Sequence, residues 1–159
     1  MPPQTPEAPA PPDPRLALIA ESFARLTGRP LVAAAAAAGG ATAVADALWA
    51  APAVIVAHGT EPDPLFFYGN RLALAVFEMD PAAFVQMPSR LSAEALLREE
   101  RARLLERVAR AGFIDDYAGV RVSATGQRFR IEQAVVWNLV DSQGVCHGQA
   151  ATFDRWTPL

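Results

Sequence analysis

With 159 residues, the chain has room for one ordinary domain whose core folds without metal or disulfide staples. A net charge of −3 lacks the basic excess that marks nucleic-acid or anionic-membrane binding. The lone Cys146 excludes an internal disulfide and suits a reducing cytoplasm; every basic residue is Arg, a bias of GC-rich bacterial genomes rather than a functional mark.

Residues 1–12 are Pro-rich with Ala, Gln and Glu, which predicts a disordered tail. No cationic stretch precedes an apolar core there, so a signal peptide is not expected. Residues 13–50 predict a helical segment and residues 51–159 the main domain. Asp13-Pro14 starts the first helix, Leu16, Ile19, Ala20, Phe23 and Leu26 share one stripe, and Gly28 ends it. Ala33 to Ala38 is a low-complexity connector, and Thr42 caps a short helix carrying Val44, Leu48 and Trp49. Asp46, Gly39-Gly40 and Pro52 interrupt the apolar run from Leu31 to Ala57, so it does not read as a membrane span, which needs about 20 strongly apolar residues.

Ala53 to Ala57 and Leu65 to Tyr68 predict two short strands around Glu61-Pro62-Asp63-Pro64. Asn70 caps a helix through Phe77, Asp80-Pro81 opens another helical turn, and Ser92 caps the longest helix, Ala93 to Ala111, which Gly112 ends. Glu99 to Arg103 and Glu106 to Arg110 are acid-to-base pairs at helical spacing, so that Arg-rich face reads as a solvated one. From Ile114 to Trp156, period-two alternation broken at Thr125-Gly126 and Asp141 to Gly144 predicts an antiparallel meander. The order of two strands, several helices and then a meander is that of PAS domains. The fold class is therefore α+β: a PAS-like five-stranded antiparallel sheet with helices packed on one face, plus N-terminal helices.

Six blocks carry a more specific likeness: His58-Gly59; Tyr68-Gly69-Asn70; Pro88 to Glu94; Ile114 to Tyr117; Gly126 to Ile131; and Trp137-Asn138-Leu139. Together they resemble bacterial MEKHLA-domain proteins, over roughly Trp49 to Trp156. That domain is similar to PAS and also ends the class III homeodomain–leucine-zipper proteins of plants. Neither a homeodomain nor a zipper heptad precedes it here, so DNA binding does not carry over. The resemblance implies a sensory or interaction module and supplies no ligand and no catalytic residue.

Pairing the strands through their turns places Val122 opposite Phe129 and Val120 opposite Ile131. It also places Trp137 opposite Gly148, Val135 opposite Ala150 and Gln133 opposite Thr152. One face then carries Val120, Val122, Phe129, Ile131, Val135 and Trp137, with small Gly148 and Ala150 leaving a gap for a ligand. Gln133 and Thr152 are polar exceptions on that face; they either satisfy each other or orient a ligand or water. A bulge would exchange the faces. The expected ligand-binding set is Asp116, Phe129, Gln133, Trp137, Thr152, His58 and Tyr68. The opposite face holds Tyr117, Arg121 and Arg130 as a partner-binding set. Arg121 opposite Arg130 is unfavourable unless Glu132, a partner's carboxylate or an anion lies between.

His58, near Glu61 and Asp63, is either a strand-end hydrogen bonder or a general base or metal ligand. Two histidines and one cysteine on different strands make no metal-ligand spacing, so no metal and no catalytic set is assigned. Arg90 either holds an anion at the following helix start or pairs with Asp115 or Asp116. Neither His sits on a predicted helix, as haem-binding PAS domains require. Cys146 sits on a strand, unlike the reactive cysteine of flavin photosensors, so the cofactor stays unassigned. The chain stops just past the last strand, where multidomain sensors begin the helix to an output domain. The leading expectation is thus a single-domain cytoplasmic sensory module binding a small ligand or a protein partner, with no covalent output. A homodimer through the sheet is expected; nucleic acid and membrane are not. The alternatives are a small α+β enzyme using His58 and Asp116 as acid/base groups, and a stabilising subunit with no pocket.

Overall fold

A computed structural model describes residues 13–94 and 98–159, and the Pro-rich tail lies outside the described residues. Three helices come first: α1 (Arg15–Thr27), α2 (Ala34–Ala38) and α3 (Ala41–Ala50). Strands β1 (Val54–His58) and β2 (Phe66–Gly69) follow, then α4 (Arg71–Phe77), α5 (Pro81–Phe84), a 3-10 turn (Ser89–Ser92) and α6 (Arg98–Ala111). The last third is β3 (Phe113–Val122), β4 (Arg128–Val140), β5 (Cys146–Phe153) and a short β6 (Trp156–Pro158). The antiparallel sheet runs β2-β1-β5-β4-β3, with β6 continuing the line of β5 along β4.

Local chemistry accounts for most boundaries. Gly28 takes φ 73° to end α1, a conformation that costs other residues about 1 kcal/mol or more. Asn70 and Asp80 cap α4 and α5 by accepting from Ala73 N and Ala83 N. The expected cap at Ser92 is not made. Ser92 is fully buried and its hydroxyl donates to Ser89 O at 2.7 Å. Ala93 is extended and bridges to Arg121 at the β3 edge, so α6 begins further on, and residues 95–97 lie outside the described residues.

Both faces of the sheet are covered. Ile55, Ala57, Val135, Trp137, Leu139 and Ala150 pack beneath α1 and α3; this is the outer face. Val54, Val56, Phe66, Phe129, Ile131, Ala134 and Phe153 pack with Phe77 of α4 and Phe84 of α5. Val136 and Ile114 meet Val108 of α6 on that same inner face. The apolar stripe of α1 is what closes the outer face: Leu16, Ile19 and Phe23 are buried, each such burial contributing about 1.5–3 kcal/mol before entropy.

The register departs from expectation at the β3–β4 loop and at bulges in β3, β4 and β5. The β3–β4 loop is held by Ser123 N donating to Gln127 O, with Gly126 at φ 86°. This loop of one extra residue pairs Val122 with Arg128, Val120 with Arg130 and Arg121 with Phe129. Within β4, Gly119↔Ile131 is followed by Tyr117↔Ala134, so Gln133, at φ 52°, is an inserted residue. Its bulge reverses the parity of β4, sending Phe129 and Trp137 to opposite faces. In β5 a second bulge near Gly148 (φ 142°) moves Trp137 opposite Ala150 and Val135 opposite Thr152.

Candidate functional site

Between the inner face and the helical layer lies a cavity of about 630 Å³, within the usual range of roughly 300–1,000 Å³ for small-molecule sites. Val56 of β1, Phe66 of β2, Ile131 and Val136 of β4, and Ala151 and Phe153 of β5 form its floor. Phe77 of α4 and Leu104 and Leu105 of α6 form its roof. Leu105 remains 51% exposed, so the α6 side is the open one. Phe66, which lines the cavity, is backed by stacked Phe84, 4.4 Å between centroids. Gly69 permits this because a Cβ there would lie 2.6 Å from the Phe84 ring.

Polar groups gather at two ends. At one rim, Arg90 Nε lies 3.1 Å from Asp63 Oδ1, while Ser89 N donates to Pro64 O and ties the 3-10 turn to the β1–β2 loop. Arg90 thus pairs with Asp63, not with Asp115 or Asp116. His58 lines the cavity near this rim, its Nδ1 2.9 Å from Gly59 O. A carbonyl only accepts, so Nδ1 carries the proton, and a neutral ring offers Nε2 as acceptor. At the β3 end stand Tyr117, Arg121 and Ser92. The Arg121 guanidinium is 5.6 Å from the Tyr117 ring centre and 3.4 Å from Ser92 Oγ.

Among the seven residues expected to bind ligand, only His58 lines this cavity. Trp137 is fully buried under α1, donating Nε1–H to Ile19 O at 3.2 Å and meeting Phe23 edge-on. Phe129 packs against Phe77 at 5.5 Å as solid core. Gln133 is exposed on its bulge and accepts from Arg155 Nη1 at 3.0 Å, so it cannot meet Thr152. Thr152 lies on the outer face opposite Val135 and Ile55. Asp116 is exposed in a β3 bulge, 2.7 Å from Arg107 of α6, where it pins that helix. Tyr68 also belongs to the outer-face cluster, and burial pushes its phenol well above the usual range. The Tyr68 hydroxyl and Thr152 Oγ1 are buried without a hydrogen-bond partner among the described residues.

The partner-binding set divides as well. Tyr117 and Arg121 face inward and line the cavity, because Arg121 pairs with Phe129. Arg130 alone stays outside, 3.4 Å from Glu132, the internal carboxylate expected for it. Arg121 therefore never opposes Arg130. His58 and Asp116, the acid/base pair of the enzyme alternative, engage Gly59 O and Arg107 respectively and not each other.

Sequence reasoning missed the roof residues Leu104 and Leu105 and the inward turn of Arg121 and Tyr117. Two signals pointed the right way. Glu132-Gln133 interrupts an apolar strand and is followed by four apolar residues in a row, Ala134 to Trp137; this is the mark of a bulge leading into a strand buried on both faces. The stripe of α1 also required a second sheet face to cover.

A profile of the MEKHLA domain matches residues 14–158, from the start of α1 to β6. The chain belongs to the MEKHLA domain family. The match takes in the N-terminal helices, and so extends beyond the blocks from Trp49 onward. A search of curated proteins found no match. Solved structures similar to this MEKHLA domain are PAS and light-oxygen-voltage domains. A PAS domain from Colwellia psychrerythraea aligns at 11% identity and TM-score 0.58, over 72% of this chain and 92% of that one. A light-oxygen-voltage domain studied with a flavin analogue aligns at 14% identity and TM-score 0.55, over 72% and 82%. An RNA-binding light-oxygen-voltage receptor aligns at 18% identity and TM-score 0.61, over 80% of this chain but 35% of that one. At such identities the likeness establishes the fold: this MEKHLA domain is PAS-like. No helix among its described residues is long and apolar enough to cross a membrane.

Proposed function

We propose that this MEKHLA domain is a sensory module that binds a small molecule in the cavity between the inner sheet face and α4 and α6. The observation that carries the reading is the cavity itself. Apolar side chains from four strands and two helices line about 630 Å³, with polar groups gathered at its two ends, a make-up suited to a ligand that has an apolar body and polar ends. A fold packed for stability alone fills such space, since each void forfeits dispersion contacts. A ligand bridging sheet and α6 would change how firmly α6 is held, and among the described residues Val108, Leu104 and the Arg107–Asp116 pair join α6 to the sheet.

A cytoplasmic location is part of the proposal and rests on the exposed, unpaired Cys146. Self-association through the sheet is confined by α1 and α3 to the strip of Val120, Val122, Arg128 and Arg130; sedimentation velocity reads it directly. The enzyme alternative needs His58 and Asp116 to act together, whereas they engage Gly59 O and Arg107.

Native mass spectrometry of protein purified from its own host tests the ligand reading, with Ala151→Met as the occluded comparison. Ala151 lies on the cavity floor, and a methionine there fills part of the space. The expected result is an added mass on the wild type that disappears on denaturation and falls by more than half in Ala151→Met. A bare mass for the wild type, with no melting shift on incubation with host small-molecule extract, would overturn the proposal.

A further inference from the structure

We infer that the cavity takes a monoanionic ligand, an organic carboxylate with an apolar body, whose carboxylate is held by Arg121. The inference rests on the cavity reading and adds the chemical class of the occupant. Charge bookkeeping around the walls leads to it. Asp63 is neutralised by Arg90 at 3.1 Å, and Glu94 by Arg128 at 2.5 Å. Arg121 lines the same cavity with no carboxylate partner among the described residues, and its guanidinium makes one long hydrogen bond, to Ser92 Oγ at 3.4 Å. A guanidinium has five donors in a planar fork that matches a carboxylate, and most of them stay available.

The surroundings of Arg121 fit the same purpose. Tyr117 stands 5.6 Å away by ring centre, and its hydroxyl lies over Gly119, where a Cβ would approach within 2.7 Å of that oxygen. Any side chain at 119 would push the phenol from this position, so glycine keeps a second donor at the cationic end. Ala93 bridges to Arg121 through the backbone, which fixes the strand carrying the guanidinium. Between this end and the Asp63–Arg90 rim, where His58 also stands, the walls are mainly apolar: Val56, Phe66, Ile131, Val136, Leu104 and Phe153. One uncompensated cation balances one negative charge. A phosphate dianion would leave a charge unpaired against apolar walls, which is strongly unfavourable.

Isothermal titration of the full chain with matched probes tests the inference: decanoate, decanol, decyl phosphate, 2-naphthoate and 2-naphthamide. Each carboxylate is expected to bind at least about tenfold more tightly than its neutral counterpart, the scale of one charge-assisted contact. Arg121→Gln should remove that preference while leaving decanol within about twofold, Arg121→Lys should restore part of it, and Arg130→Gln on the outer face should change nothing. Equal binding of acid and neutral probes, or a preference that survives Arg121→Gln, overturns the carboxylate assignment while the cavity reading stands. Tighter binding of decyl phosphate than decanoate overturns the monoanion. If none of the five binds the wild type, the carboxylate assignment falls, and the native mass spectrum alone decides the cavity reading. Arg121→Lys also serves should Arg121→Gln not fold.

Discussion

Replacing Asn70 by Ala removes a side chain that is fully buried and joins four segments. Its Oδ1 accepts from Ala73 N at 3.0 Å, capping α4, and from Ile55 N at 3.2 Å in β1. Its Nδ2 donates to Leu48 O at 3.0 Å, in α3, and to Ala53 O at 2.8 Å just before β1. Loss of the cap alone costs about 0.5–2 kcal/mol. Each further group left buried and unpaired adds about 1–3 kcal/mol, less whatever relaxation or water recovers. Since these terms are not additive, the expected loss is about 3–5 kcal/mol, against a total of roughly 5–15 kcal/mol for a domain. The melting temperature should fall by about 6–20 °C at this chain length. Urea unfolding is the assay: the midpoint should drop with little change in slope, since the surface exposed is nearly the same. Asn70→Asp keeps the shape but points a carboxylate at two carbonyl oxygens. It should be worse than Ala at pH 7 and recover as the pH falls, because its folded-state pKa is raised and the neutral acid can donate. A loss below about 1 kcal/mol for Ala, or an Asp variant as stable as wild type at neutral pH, would refute the four-way role.

Trp137→Ala should cost about 3–5 kcal/mol through lost packing on Phe23 and the lost bond to Ile19 O. It should leave probe affinities at the cavity unchanged within about twofold, the margin of ordinary context effects, because Trp137 lies on the outer face; weakened binding in a folded variant would place the indole in the site after all. Gly148→Ala should unfold or severely destabilise the protein, since its Cβ would lie 2.0 Å from His58 O at φ 142°; circular dichroism melts read this, and a melt within a few degrees of wild type would contradict the close approach of the β5 bulge to β1. Three carboxylates titrate below their ordinary values: Asp13 through its bond with Arg15, Glu78 through the Thr125 and Ser123 hydroxyls, and Asp141 through His147. Folded values below unfolded ones mean stability that is full above the ordinary 3.8 of Asp and 4.5 of Glu, declines below them, and is gone once the pH has passed the lowered folded values. Melting scans from neutral pH to acid should show that decline, and Glu78→Gln should show a shallower one; parallel curves would remove Glu78 from the account.

Boundaries of the elements were readable because they rest on short-range chemistry. Asp80-Pro81, Asn70, Gly28 and Gly112 act within one or two turns of backbone, and each does locally what its residue type implies. The site was much less readable. Reading it depended on parity along β4, and parity is a cumulative quantity: one inserted residue at Gln133 reverses everything beyond it. The extra residue in the 123–127 loop did the same to β3, turning Arg121 and Tyr117 from the outer face into the cavity. His58 escaped because β1 is short and the shift beside it, between Ala57 and His58, lies in the pairing with β2, where Phe67 is the extra residue, while β1 pairs β5 without a break. Asn70 shows both sides at once, since its bond to Ala73 follows from position whereas those to Leu48, Ala53 and Ile55 do not.

Composition, helix stripes and turn residues were enough to dictate an α+β chain with a β-meander and a MEKHLA-type set of blocks. They act over a few residues, and the hydrophobic pattern records them directly. Which face of the sheet holds the cavity, and which side chains line it, depended on contacts between segments more than a hundred positions apart, such as Trp137 with Ile19 and Ser22 with Val140. With α1 covering one face and α4 to α6 the other, both sides of β4 are apolar, so period-two alternation carries no sign of inside or outside. Only the folded arrangement of helices on the two faces supplies it.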